Sequence, residues 1–102
     1  MSEFTSVAKS SEIGSGEVRS FNVGALQIAI ANIDGELIAF NDICTHRGCS
    51  LTDGVLEDGA IECPCHGSKF DVRTGAVLQA PATEPIATYS VRVADDMIEV
   101  DV

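Results

Sequence analysis

Two six-residue stretches decide the reading of this chain: Cys44-Thr45-His46-Arg47-Gly48-Cys49 and Cys63-Pro64-Cys65-His66-Gly67-Ser68. They contain all four cysteines and both histidines of the 102 residues. Soft metal ligands gathered into two short windows point to a metal site. The rest of the chain reads as a β scaffold that presents these two loops.

Working outward, residues 25–33 are apolar and rich in Ile and Ala, as in a central strand. Asp34-Gly35 is a hairpin signal, and residues 36–41 form the return strand. Its apolar positions run on to Asp42-Ile43-Cys44, so the first cysteine sits at a strand end. Between the two stretches, Asp53-Gly54 and Asp58-Gly59 mark turns, with short strands at 55–57 and 60–63. After the second stretch come a strand at 69–72, a turn at Arg73-Thr74-Gly75 and a strand at 76–78. Residues 79–85 hold Pro81 and Pro85 and read as a connection without strand. Strands at 86–93 and 97–102, joined at Asp95-Asp96, place Val91, Val93, Ile98, Val100 and Val102 on one half-buried face. At the N-terminus, residues 4–8 alternate, and residues 9–13 read as one helical turn with serines at its start. Many short strands separated by turn signals predict a single all-β domain over 1–102, an antiparallel sandwich or barrel. A compact insert at about residues 43–70 interrupts it.

Sixteen acidic residues against six basic ones give a net charge of −10. That balance excludes nucleic acid and anionic lipid as partners, because phosphate binding needs a basic surface. A protein with a basic docking face is the natural complement. The first residues lack a basic and an apolar region, so no signal peptide is expected. No apolar run approaches the roughly 20 residues that span a bilayer. The expectation is therefore a soluble, cytoplasmic protein with no membrane contact, and a monomer.

The candidate ligands are spaced Cys44-x-His46, sixteen residues, then Cys63-x-x-His66. Cys49 and Cys65 are extra, so six candidates exceed what one tetrahedral metal needs. Two Cys and two His would satisfy a structural zinc, although a domain of this length does not need one to fold. Two disulfides would use every cysteine but leave the adjacent histidines unexplained, and disulfides suit secreted proteins. A mixed-ligand iron–sulfur centre uses one Cys and one His from each stretch.

The motifs Cys44-Thr45-His46-x-Gly48-Cys49 and Cys63-Pro64-Cys65-His66-Gly67-Ser68 resemble the two boxes of the Rieske [2Fe–2S] family, and the order of strands, insert, proline-bearing loop and C-terminal hairpin is similar too. The resemblance implies one [2Fe–2S] cluster, with Cys44 and Cys63 on a buried iron and His46 and His66 on an outer iron near the surface. Imidazole in place of thiolate lowers the negative charge and raises the potential, into a window from about −150 to +300 mV. The resemblance further implies a Cys49–Cys65 disulfide like the one that ties the loops in respiratory Rieske proteins. Many soluble Rieske ferredoxins lack that pair, yet the chain otherwise looks like them. In high-potential members, a Ser at the place of Ser68 donates to a bridging sulfide and a Tyr at the place of Phe70 donates to a ligand thiolate. Ser68 is present and Phe70 has no hydroxyl, so a potential below the respiratory type is expected. Pro81 matches the loop that covers the cluster from the side.

Arg47, Lys69 and Arg73 are half of the basic residues and lie in or beside the boxes, which suggests a basic rim around the exit histidines. With both histidines used, no second iron site is available, and no G-x-G-x-x-G or P-loop is present. The chain therefore reads as a one-electron carrier and not as an enzyme. It resembles the ferredoxin component of ring-hydroxylating oxygenases, whose partners are a flavoprotein reductase that oxidises NAD(P)H and a terminal oxygenase. Alternatives are the small Rieske-like subunit of an assimilatory nitrite reductase and the soluble head of a respiratory Rieske protein.

Overall fold

The computed structural model describes residues 4–45, 48–65 and 67–101. Among the described residues, ten strands make two antiparallel sheets. The larger sheet takes β1 (Phe4–Lys9), β2 (Val18–Val23), β3 (Leu26–Ile33), β4 (Glu36–Asn41), β9 (Thr88–Ala94) and β10 (Met97–Asp101) in the order β1-β10-β9-β4-β3-β2. Its edge strands β1 and β2 approach each other, which curls the sheet towards a barrel. The smaller sheet takes β5 (Val55–Glu57), β6 (Ala60–Glu62), β7 (Lys69–Asp71) and β8 (Val77–Gln79) in sequence order.

The apolar run in β3 and β4 is explained by burial on both faces. Ile28, Ile30 and Ala39 point into the barrel with Ile98 and Val100. Ala29, Ala31, Ile38 and Phe40 point the other way and pack under the small sheet. A strand covered on one face would alternate apolar and polar; this one cannot. The second core also contains Leu51, Ile61, Phe70 and Val72. It binds the small sheet to the large one.

The turn signals act as their chemistry dictates in two cases. Asp34-Gly35 and Asp58-Gly59 have φ of 52° and 92°, and 52° and 78°, as two-residue hairpins of the twisted kind require. Asp53-Gly54 differs. A 3-10 turn over Leu51–Asp53 ends at Gly54, whose φ is −93°. A Cβ there would overlap the carbonyl oxygen of Glu62, so close approach of two backbones demands the glycine.

Several sequence boundaries move. The last long strand begins at Thr88 rather than at residue 86, because Ile86 is held by Gly75 through its N–H, 3.0 Å from that carbonyl. Gln79, expected in the connection, pairs with Lys69 at the end of β8. The expected turn at 9–13 is the 3-10 turn Ser10–Glu12, but no serine caps it; the Glu12 carboxylate accepts the Lys9 N–H at 2.7 Å. Val93 stays 50% exposed beside the β9–β10 turn, so that face is less covered than its alternation implies. Val102 lies outside the described residues. The chain leaves the large sheet after Asn41 and rejoins it at Thr88. The inserted layer thus carries β8 and the proline-bearing segment as well as residues 43–70.

Candidate metal centre

Each cysteine–histidine stretch is the tip of a hairpin. The first is closed by the bridge between Ile43 and Ser50, the second by the pair Glu62 and Lys69 of β6 and β7. The two tips have the same backbone hydrogen bonds. Cys44 N–H donates to the Cys49 carbonyl at 2.8 Å, and Gly48 N–H donates to the Cys44 carbonyl at 2.9 Å. Cys63 N–H donates to the Ser68 carbonyl at 2.7 Å, and Gly67 N–H donates to the Cys63 carbonyl at 3.1 Å. Both closures need a left-handed residue four places after the cysteine, and Gly48 and Gly67 supply it with φ of 74° and 78°. Two loops that have in common, place for place, only the first cysteine and this glycine thus present that cysteine in the same way.

Burial grades along each loop. Cys44 and Cys63 are 2% exposed and belong to the core beneath the small sheet. Thr45, Gly48, Pro64 and Cys65 are exposed at the tips. Cys49 and Cys65 form a disulfide between the loops, with Cα atoms 6.5 Å apart. The Cys63 Sγ lies within 4.8 Å of both of these sulfurs. Since the disulfide removes Cys49 and Cys65 from the ligand pool, Cys44 and Cys63 remain, neither of them in a disulfide. The reading with two disulfides is therefore not what the fold builds. His46, His66 and Arg47 lie outside the described residues.

The proline-bearing segment clamps both loops. Thr45 Oγ1 donates to the Glu84 carbonyl at 2.7 Å, Gln79 Nε2 donates to the Gly67 carbonyl at 2.7 Å, and Ala82 N–H donates to Ser68 Oγ at 3.0 Å. Ser68 is fully buried, and as an acceptor from Ala82 it keeps its own hydroxyl proton for another partner. The peptide Ala80–Pro81 is cis. Pro81 itself is exposed, and Ala82 is the segment's residue that enters the core with Cys44 and Cys63. Sequence reasoning missed Gln79, Ala82 and Glu84. Resemblance marks their segment through Pro81, but the individual contacts depend on which parts of the fold lie together.

The expected basic rim does not form as drawn. Arg73 sits at the far end of the small sheet from residues 63–68, where it is paired with Glu36 at 2.8 Å. That hydrogen bond, with the charge of Glu36, raises its pKa above the ordinary value. Lys69 stays beside the second loop, 4.0 Å from Glu62. The physical reason is the hairpin: β7 carries the chain away from the loop before it reaches Arg73.

Comparison with known proteins decides what this pair of loops belongs to. The Rieske [2Fe-2S] domain profile matches residues 3–90. The chain belongs to the Rieske [2Fe-2S] family. This Rieske domain is 44% identical over 79 residues to the anthranilate 1,2-dioxygenase ferredoxin subunit of Burkholderia cepacia, covering 78% of this chain and 73% of that one. It superposes on the ferredoxin of carbazole 1,9a-dioxygenase from Nocardioides aromaticivorans IC177 with a TM-score of 0.92 and 30% identity, over 96% of both chains. It is also similar to a chain in a complex of reduced oxygenase and oxidized ferredoxin in carbazole 1,9a-dioxygenase, with a TM-score of 0.90, 34% identity, and 96% and 92% coverage.

The residues fit the family's group. Two cysteines come from two equivalent loops and are shielded by one apolar core. A thiolate is disfavoured in apolar surroundings, and an iron partner compensates for that burial. A buried Ser68 hydroxyl lies on the second loop with its oxygen already fixed. No helix among the described residues is long and apolar enough to cross a membrane.

Proposed function

We propose that Cys44, His46, Cys63 and His66 hold one Rieske-type [2Fe–2S] cluster. On this reading the chain carries single electrons from a flavin-dependent NAD(P)H reductase to the terminal oxygenase of an aromatic-ring-hydroxylating system. When bound, the cluster supplies a one-electron couple in the Rieske range. What this chain's residues do is hold and shield it. The equivalent backbone loops fix the two buried cysteines, and this is the observation that carries the reading. The disulfide and the 79–84 clamp hold the loops at a fixed separation. A carrier works fastest when its site does not rearrange between redox states, and a stapled site has little freedom to do so. The exposed tips at Thr45, Gly48 and Pro64 leave one end of the site open to a docking protein. A cytoplasmic place of action belongs to the same reading, and so does Ser68 as donor to the cluster.

The test is visible absorption, EPR and metal analysis of the purified protein. A coloured protein with two irons per chain and a Rieske EPR signal after reduction is expected. A colourless, EPR-silent protein with one bound zinc would overturn the reading. His66→Cys should move the spectrum towards an all-thiolate centre; an unchanged spectrum removes His66 from the ligands. The disulfide favours a second reading, the head of a respiratory Rieske protein. A midpoint well above about +100 mV, inside the Rieske window, would select it.

A further inference from the structure

Asp42 is the only charged residue that is fully buried among the described residues. It stands two places before Cys44. Its carboxylate accepts four hydrogen bonds. Oδ2 takes Gln27 Nε2 at 2.5 Å and Ser50 Oγ at 2.6 Å. Oδ1 takes the Thr52 N–H at 2.8 Å and Thr52 Oγ1 at 2.5 Å. Its backbone is held as well: Asp42 N–H donates to the Gln27 carbonyl at 3.0 Å, and Leu51 N–H donates to the Asp42 carbonyl at 2.7 Å. No ion pair found among the described residues includes Asp42.

Two consequences follow from these partners. Gln27 is on β3, whereas Ser50 and Thr52 lie just after the first loop. One side chain therefore ties the base of the Cys44 loop to the large sheet and closes the loop on itself. Secondly, both carboxylate oxygens act as acceptors, each from two donors, one of them the Thr52 N–H, which can only donate. Hydrogen bonds to a carboxylate are strong, so four of them fix Asp42 firmly at the base of the loop. A negative charge inside the protein is poorly screened and opposes addition of an electron nearby.

We propose that Asp42 is a positioning residue for the Cys44 loop and that its charge lowers the reduction potential of the group this loop holds. The proposal rests on the cluster reading above. Asp42→Asn preserves shape and removes the charge. At a fixed poise its reduced-to-oxidised ratio should rise about tenfold, equal to about 59 mV for one electron. The paired variant Ser50→Ala/Thr52→Val keeps the carboxylate and removes two hydroxyl donors, which leaves the charge less compensated. Its midpoint should move the opposite way, to lower potential, and its cluster should be lost several-fold faster.

The measurements are a spectroelectrochemical titration and the decay of visible absorbance on the holoprotein. A purely structural role would move both variants in the same direction, and that result overturns the proposal. So does an unchanged midpoint in Asp42→Asn. If Asp42→Asn does not retain the cluster, the paired variant decides alone: a midpoint and a decay rate equal to those of the unaltered protein overturn the proposal. A colourless parent protein would instead defeat the cluster reading, so the two failures are distinguishable.

Discussion

Phe70 is fully buried between the small sheet and the core that holds Cys44 and Cys63. Its position one strand residue beyond Ser68 and Lys69 gives the ring two tasks that do not conflict. It fills the core, and as a phenyl group it offers no hydrogen bond to the site. Phe70→Ala should cost about 3–5 kcal/mol, read as a lower thermal midpoint of the protein. Phe70→Tyr adds the hydroxyl that high-potential members have at this place. It should raise the reduction potential, because a hydrogen bond to a thiolate stabilises the more negative, reduced state. An unchanged potential in a folded, loaded variant would show that the side chain does not reach the ligands.

At the scale of elements, two hairpin tips and one connecting segment make the site. The tips share backbone hydrogen bonds but differ in what they carry: the second has Ser68 where the first has Cys49. The equivalence thus lies in the backbone and not in the side chains. The disulfide spans a separation of 16 residues and joins the tips. Closing a loop of that size contributes on the order of 3 kcal/mol by restricting the unfolded chain. Cys49→Ser/Cys65→Ser should therefore melt lower and lose its cluster faster. It should keep its spectrum, because the proposed ligands are untouched. A shifted spectrum in the freshly loaded variant would make one of these cysteines a ligand. The 79–84 clamp adds bonds from the segment that resemblance marks only by Pro81, through Gln79, Ala82 and the Glu84 carbonyl.

At the scale of the whole molecule, the large sheet is the platform and the small one the holder. Both faces of β3 and β4 are buried, one in the barrel and one under the holder. Movement of the holder would therefore disturb a packed core. The chain carries a net charge of −10, and Lys69 has the Glu62 carboxylate 4.0 Å away. A partner with a basic face is steered by that charge. Screening acts over about 10 Å at 0.1 M salt. The second-order rate of electron transfer with such a partner should fall steadily as salt is raised, in stopped-flow mixing of the two proteins. A rate independent of salt would mean that docking depends on apolar contacts at the tips instead.

The sequence by itself determined the all-β class, nearly every strand, the hairpins at Asp34-Gly35 and Asp58-Gly59, and the two loops. These are legible because strand period, turn chemistry and ligand spacing are local properties. The Cys49–Cys65 pair was legible only through resemblance, and the fold places it. Tertiary structure alone decided the rest. It buried Asp42 under Gln27, Ser50 and Thr52, brought Ala82 to Ser68, and sent Arg73 away from the loops to Glu36. It also gave Gly54 a steric task in place of a turn. Each of these depends on which strands lie side by side, and that is set by packing across the whole chain and not by any stretch of it.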